Sequence, residues 1–145
     1  MWGHTHRCFY AVPDAPSAAR RCVSEWLREL GWSGTDLDDV VLSVSEAITN
    51  AVEHAYPPGH PGSITMDAAT LTGPNGTQRI HVTVTDQGTW RTPKIALAVV
   101  GSVSVRGRGL GMIRATMETL RLDTDASGTR LTMMTREANP ISQET

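Results

Sequence analysis

The stretch VSEAITNAVEHAY, residues 44–56, decides how the rest of this chain is interpreted. Its apolar residues recur at intervals of three and four, which predicts one buried face of an α-helix. Glu46, Asn50 and His54 follow one another at four-residue intervals, so their side chains form one row beside that face. A carboxylate or amide buried without a hydrogen-bonding partner is costly. The row therefore either bonds to local backbone and solvent or faces a ligand.

The residue types in this row suit chemistry on phosphates. Glu46 is a potential general base, because a carboxylate can take a proton from a nearby hydroxyl. Asn50 offers a neutral oxygen of the kind that Mg²⁺ accepts beside substrate phosphates. The role of His54 stays open between a contact near phosphate and a purely structural one.

The length and composition indicate one globular domain. The 145 residues are enough for one core and too few for two ordinary domains. Apolar residues make up 39% of the chain and charged residues 19%, which excludes a disordered chain. We therefore interpret 1–145 as a single domain and predict that 136–145 form a disordered, unpacked tail.

The charge and the termini limit the classes of partner. Thirteen basic residues against 15 acidic ones give a formal charge of −2, so nothing in the overall charge favours nucleic-acid binding. No apolar run approaches the roughly 20 residues that a membrane helix needs. The first residues lack the pattern of a secretory signal. Cys8 and Cys22 have no metal-ligand spacing, and we expect two thiols in a reducing cytoplasm.

The hydrophobic pattern predicts an α+β fold, a two-layer sandwich with a mixed, mostly antiparallel sheet and about three helices on one face. Asn75-Gly76 marks a hairpin, Ser127-Gly128 marks a second turn, and Thr35 or Asp36 would cap the second helix. Residues 87–106 form a long irregular loop that we interpret as a lid. The predicted helices lie at about 15–30, 37–55 and 109–120, and the predicted strands at 4–12, 63–71, 79–86, 121–126 and 129–135.

Two further motifs strengthen the functional interpretation. Asp86 ends a predicted strand and Gly88 follows it, so a carboxylate could accept a hydrogen bond from an exocyclic amine while the glycine lets a flat ring approach. The run GRGLG, residues 107–111, opens the third helix. Its glycines free the backbone to surround a phosphate, and a helix N-terminus favours negative charge. Neither a P-loop nor a G-x-G-x-x-G motif is present.

In this order, the three motifs resemble the GHKL (Bergerat-fold) ATP-binding superfamily, and SEAITNAVEHAY is similar to the bacterial anti-sigma-factor serine kinases of the RsbW and SpoIIAB type. The pattern is followed over about 7–135. The resemblance implies a cytoplasmic serine/threonine protein kinase that uses Mg-ATP. It would sequester a sigma factor in a stress response and phosphorylate a STAS-type anti-sigma antagonist. A PP2C-type phosphatase would act on the antagonist, and the kinase would be a homodimer.

The resemblance also implies roles for individual residues. Glu46 matches the catalytic base, Asn50 the Mg²⁺ ligand and Asp86 the adenine-reading carboxylate. Arg20, in the first predicted helix, matches an arginine that contacts the sigma factor and the antagonist. The other residues implied to surround the nucleotide are His54, Gly88, Arg106, Gly107, Arg108, Gly109, Leu110, Gly111 and Thr129.

Three alternatives remain open at this point. The family motif usually continues D-x-G-x-G-F-D, whereas this chain has DQGTWRTP at 86–93. That departure allows a partner-binding module of the same fold that binds ATP weakly or not at all. A histidine-kinase catalytic domain is less consistent with Glu46 at the first motif position. A metalloenzyme would need the five histidines, His4, His6, His54, His60 and His81, whose spacing matches no standard site.

Overall fold

The computed structural model describes residues 3–57, 59–88, 113 and 116–140. Within these residues the chain forms two long helices and five strands. In chain order they are β1 His4–Tyr10, α1 Ala15–Glu29, α2 Gly34–His54, β2 Ser63–Thr72, β3 Gln78–Asp86, β4 Thr119–Asp125 and β5 Gly128–Met134.

The strands form one sheet in the order β1-β2-β3-β5-β4, and every pair of neighbours is antiparallel. The register places Met66, Val84, Leu131 and Leu122 in one row across β2, β3, β5 and β4. All of these side chains are buried. Since successive residues of a strand point to opposite faces, this row defines the face of the sheet that the helices cover.

The two helices close the core from that face. α1 buries Val23 and Leu27, and α2 buries Val44 and Ile48, all of them fully. These positions recur at the helical period, as the sequence predicts. The α+β two-layer class is therefore confirmed, although two long helices rather than three are seen in the described residues.

The third predicted helix, 109–120, is only partly described. Ile113 and Thr116 are helical, and the amide of Met117 donates to the carbonyl of Ile113 at 2.9 Å. The predicted end at Leu120 is wrong, because Thr119 pairs with Met134 and Leu120 with Met133 at the start of β4. Pairing with β5 therefore ends the helix earlier than its apolar pattern suggests. Almost all of the predicted lid lies outside the described residues.

Two other boundaries differ from the sequence pattern. α2 begins at Gly34, because the carbonyl of Ser33 accepts the first helical bond, from the amide of Leu37 at 3.3 Å. Thr35 and Asp36 are therefore inside the helix rather than at its cap. The start of the predicted tail is packed, since Ala138 exchanges backbone hydrogen bonds of 2.9 Å with Gln78. Residues 141–145 lie outside the described part.

The hairpin between β2 and β3 is confirmed. Asn75 and Gly76 adopt positive φ angles of 60° and 79°, which is the freedom that made this pair a turn signal. None of the described helices is long and apolar enough to cross a membrane.

Candidate functional site

The polar row lies on α2 as the sequence predicts. Asn50 is 9% exposed, and Glu46 and His54 are half-buried. The row runs beside the buried residues Ile48 and Ala51, so it borders the core rather than open solvent. At 1.5 Å per residue, Glu46 and His54 stand about 12 Å apart along the helix axis.

The Asn50 amide has an unsatisfied polar atom. In the part of the chain that the structure describes, its Nδ2 is the one buried side-chain nitrogen or oxygen that lacks a hydrogen-bond partner. The nitrogen and oxygen of an amide exchange places by a half-turn, so either atom can occupy this position. A buried polar atom without a partner costs free energy, and in a native protein it calls for an explanation. A bound ligand would supply the missing partner.

Asp86 forms the second part of the candidate site. It ends β3, it is 3% exposed, and its Oδ1 accepts a hydrogen bond from the Gly88 amide at 3.0 Å. The turn that it begins presses against the end of α2, because a Cβ placed on Gly88 would lie 1.9 Å from the carbonyl oxygen of Ala55. Gly88 is therefore required for the packing of helix against turn, a reason that its sequence motif does not reveal.

A second glycine approaches Asp86 from the other side. Gly128 has a φ of 142°, and a Cβ there would lie 2.0 Å from the carbonyl oxygen of Asp86. The next residue, Thr129, is the register partner of Asp86 and is 3% exposed. Its hydroxyl lies 3.4 Å from that of Thr124. The structure therefore brings Asp86 and Thr129 together on neighbouring strands.

A cavity of about 500 Å³ opens at this end of the sheet. Asp86, Gln87 and Thr129 line it together with charged residues of β4 and β5. The charged residues alternate along β4 and β5 with the helix-covered row, so most of this cavity lies on the opposite face of the sheet. Neither Glu46 nor Asn50 lines it, so within the described residues the α2 row and the Asp86 cavity are neighbouring parts and not one enclosed pocket.

Tyr56 joins these two parts. Its hydroxyl donates to the carbonyl of Ser63 at 2.6 Å and accepts from the amide of Gln87 at 2.9 Å. Burial raises the pKa of the Tyr56 phenol; the Gln87 hydrogen bond opposes this rise, and the negative charge of Asp86 adds to it. The phenol therefore keeps its proton at neutral pH and can donate it to Ser63.

Arg20 reaches α2 next to Glu46. Its Nη1 donates to the hydroxyl of Ser45 at 2.8 Å across the α1–α2 interface. Arg20 also lines a groove with Arg21, Arg28 and Glu25, so three positive charges and one negative charge lie on this surface. Ser45 is a contact that the sequence pattern did not single out.

Of the remaining predicted site residues, one is half-exposed and the others lie outside the described part of the chain. The Nε2 of His54 lies 3.9 Å from the neighbouring Glu53 carboxylate in a half-exposed position. The predicted phosphate-binding residues lie outside the described part of the chain; they are Arg106, Gly107, Arg108, Gly109, Leu110 and Gly111.

Sequence reasoning missed Tyr56, Ser45 and Gly128. The signal for Tyr56 was an aromatic residue directly after the last turn of a helix and before Pro57. That position only indicates packing, because the partners Ser63 and Gln87 come from two other elements. Gly128 was noticed as a turn residue, but its approach to Asp86 depends on the sheet register.

The fold agrees with comparisons to known proteins. The family model for the histidine kinase-like ATPase domain matches residues 9–135. The chain therefore belongs to the histidine kinase-like ATPase domain family, within the branch of the RsbW serine-protein kinases.

Two relatives illustrate that branch. A serine-protein kinase RsbW from Listeria monocytogenes is 30% identical over 121 residues, which cover 77% of this chain and 74% of that protein. The RsbW from Bacillus licheniformis is 28% identical over 128 residues, covering 82% of this chain and 77% of that protein.

Solved structures show the same fold. The RsbU and RsbW domains of Rv1364c from Mycobacterium tuberculosis match with a TM-score of 0.64 and 27% identity over 98% of this chain. This chain spans about a third, 34%, of that longer one. The histidine kinase domain of a blue-light activated kinase from Erythrobacter litoralis matches with a TM-score of 0.51 and 16% identity, over 83% of this chain and 60% of its own. The latter likeness concerns the fold alone.

Proposed function

We propose that this protein is an anti-sigma factor and a serine/threonine protein kinase that phosphorylates a STAS-type antagonist with Mg-ATP. The observation that carries the proposal is the unsatisfied buried amide of Asn50, one helical turn from the half-buried carboxylate of Glu46. A core helix has no structural need for such a pair. A site that receives a metal–phosphate group beside a hydroxyl nucleophile needs both residues.

Glu46 is the proposed catalytic base. Its carboxylate would accept the proton of the substrate serine hydroxyl, or orient that hydroxyl, as the oxygen approaches the terminal phosphate. Phosphoryl transfer depends mainly on positioning and on electrostatic stabilisation, so a base fixed on a packed helix is favourable. The half-buried position of Glu46 leaves part of the side chain accessible to a substrate.

Asn50 is the proposed metal-binding residue. The described residues contain no group of three or more His, Cys, Asp and Glu side chains that could hold a metal ion. Mg²⁺ does not require such a group, because it usually keeps several waters and binds substrate phosphates rather than a protein cage. With its oxygen turned toward the unsatisfied position, Asn50 would hold Mg²⁺, and the ion would neutralise charge on the phosphates.

Asp86 and Thr129 are proposed to recognise the base. One Asp86 oxygen is already occupied by the Gly88 amide, which fixes the direction of the carboxylate. The adenine amine would donate to this carboxylate, and Thr129 lies next to it in the adjacent strand. His54 and Gly88 would lie at the same end of α2. Phosphate binding by residues 106–111, with Arg106 and Arg108, stays a prediction from the sequence.

The Arg20 surface is the proposed contact for protein partners. Three arginines, Arg20, Arg21 and Arg28, outnumber the one carboxylate, Glu25, in a groove on α1 beside Ser45, and this balance suits an acidic partner segment. Phosphorylation of the antagonist adds about −1.5 to −2 charge and would change which partner this groove holds. We further propose that the kinase works in the cytoplasm as a homodimer, and that a PP2C-type phosphatase reverses the modification.

The proposal is tested by radiolabel transfer from γ-labelled ATP to a purified cognate antagonist. Wild-type protein should label the antagonist on serine or threonine. Glu46→Gln, which keeps the size of the side chain and removes the base, should lower the rate at least about 100-fold. Glu53→Gln on the exposed side of the same helix is the matched control and should transfer normally. Equal rates for wild type and Glu46→Gln would remove Glu46 from the chemistry.

A second candidate function is a partner-binding module without kinase activity. The run DQGTWRTP at 86–93 supports it, because a second glycine of the family motif is missing. Tight binding of a sigma factor or an antagonist, with no label transfer and no nucleotide binding by the wild-type protein, would favour this function over the kinase.

A further inference from the structure

Tyr56 occupies the junction of three elements. It follows the end of α2, its hydroxyl donates to Ser63 at the start of β2, and it accepts from the amide of Gln87 directly after β3. One hydroxyl therefore connects the helix that carries Glu46 and Asn50 to the turn that carries Asp86. Both hydrogen bonds go to backbone groups, so they fix main-chain positions rather than flexible side chains.

The ring of Tyr56 is confined by two glycines. A Cβ on Gly62 would lie 2.4 Å from the Cε1 of the ring, and a Cβ on Gly88 would lie 3.0 Å from its Cδ1. Contacts this close leave the ring little room for another rotamer. The position of the hydroxyl is consequently set by the backbone on both sides of it.

The position of Gln87 controls the direction of Asp86. Asp86 precedes Gln87, and its Oδ1 accepts from the Gly88 amide at 3.0 Å, so the three residues form one tight turn. The middle amide of that turn is the group that Tyr56 holds. If this bond is lost, the Gln87 amide is no longer held by Tyr56, and the direction of the Asp86 carboxylate that precedes it is fixed less strictly.

We propose that Tyr56 is a positioning residue that aims Asp86 and thereby sets a preference for adenine over guanine nucleotides. This inference rests on the proposed function, in which Asp86 reads the base. Adenine presents an amino group where guanine presents a carbonyl oxygen, so a fixed carboxylate accepts from the first and repels the second. A carboxylate that is free to turn away loses this discrimination without losing the contacts to phosphate.

The test compares Tyr56→Phe with Tyr10→Phe. The first variant keeps the confined ring and removes only the hydroxyl. The second removes a hydroxyl from a side chain that is 67% exposed on β1 and should behave as wild type. Titration calorimetry gives the affinities for Mg-ATP and Mg-GTP, and amide exchange measured by NMR without nucleotide reports on Gln87. Thermal melts establish that each variant is folded.

We expect Tyr56→Phe to reduce the ATP-to-GTP affinity ratio about tenfold, the effect of about one lost hydrogen bond. Protection of the Gln87 amide should fall in the same variant. A purely structural role would weaken both nucleotides equally. If the ratio is unchanged while wild type binds ATP, the inference is overturned and the kinase proposal stands. If wild type binds neither nucleotide, the proposed function fails and the inference fails with it.

A second variant covers the case in which Tyr56→Phe does not fold. Gly62→Ala keeps the hydroxyl but places a methyl group against the ring, which should displace it from Gln87. The ATP-to-GTP ratio should again fall. An unchanged ratio in a folded Gly62→Ala protein that has lost protection at Gln87 would contradict the inference.

Discussion

Some residues of the candidate site contribute less to the free energy of folding than their buried neighbours on the same helix. Asn50 is buried with an unsatisfied amide atom, whereas Ser43 on the same helix is fully buried and shares a 2.7 Å hydrogen bond with Thr116. An unsatisfied buried polar atom costs about 1–3 kcal/mol, and a satisfied one contributes about 1 kcal/mol. Asn50 is thus expected to matter for ligand binding more than for folding.

Replacing each residue by alanine separates these roles. Asn50→Ala should leave the free energy of unfolding without nucleotide within about 1 kcal/mol of wild type, because the lost packing is offset by removal of the unsatisfied atom. It should abolish the rise in melting temperature caused by Mg-ATP. Ser43→Ala, the control, should lose about 1 kcal/mol and keep that rise. A loss above about 2 kcal/mol in Asn50→Ala would show that the amide stabilises the free protein.

At the scale of elements, the site depends on where α2 meets the turn after β3. Ala55 caps the helix, and its carbonyl oxygen contacts the backbone of Gly88, so the Glu46–Asn50 row and Asp86 are held in a fixed relation. The same junction carries Tyr56. Any side chain at position 88 would have to displace either the backbone of Ala55 or the backbone of the turn itself.

Gly88→Ala should therefore destabilise the protein by about 3 kcal/mol, at the upper end of the cost of overpacking. Gly76→Ala is the control for strain without contact, since Gly76 has a positive φ, which Gly88 does not, and no atom lies within 4 Å of the added Cβ. It should cost only about 1 kcal/mol of backbone strain. Urea unfolding measures both. A loss in Gly88→Ala no larger than that in Gly76→Ala would mean that close contact with Ala55 does not explain Gly88.

These elements show what the sequence can and cannot predict. The period of 44–56 predicted α2 and its polar row, and Asn75-Gly76 predicted the β2–β3 hairpin, because both signals are local. The cap of α2 and the end of the third helix were wrong by a few residues, since backbone pairing at Ser33 and Thr119 overrides side-chain pattern. The contacts of Gly88 and Tyr56 join distant parts of the chain, and no local pattern encodes them.

At the scale of the whole molecule, one layer of helices on one antiparallel sheet concentrates the polar groups at one end. The end of α2, the end of β3 and the turn between β4 and β5 meet around Asp86. The arrangement is that of the histidine kinase-like ATPase domain family, and the RsbW relatives extend over most of the chain. Under the proposed function, this end of the molecule binds Mg-ATP.

Titration calorimetry of the wild-type protein with Mg-ATP and Mg-ADP tests that claim most directly. We predict saturable binding of both nucleotides at one site per chain, retained in Glu46→Gln because that residue acts on the substrate hydroxyl rather than on the nucleotide. The absence of binding for both nucleotides at millimolar concentration, in a protein that melts cooperatively, would contradict a nucleotide site in this protein.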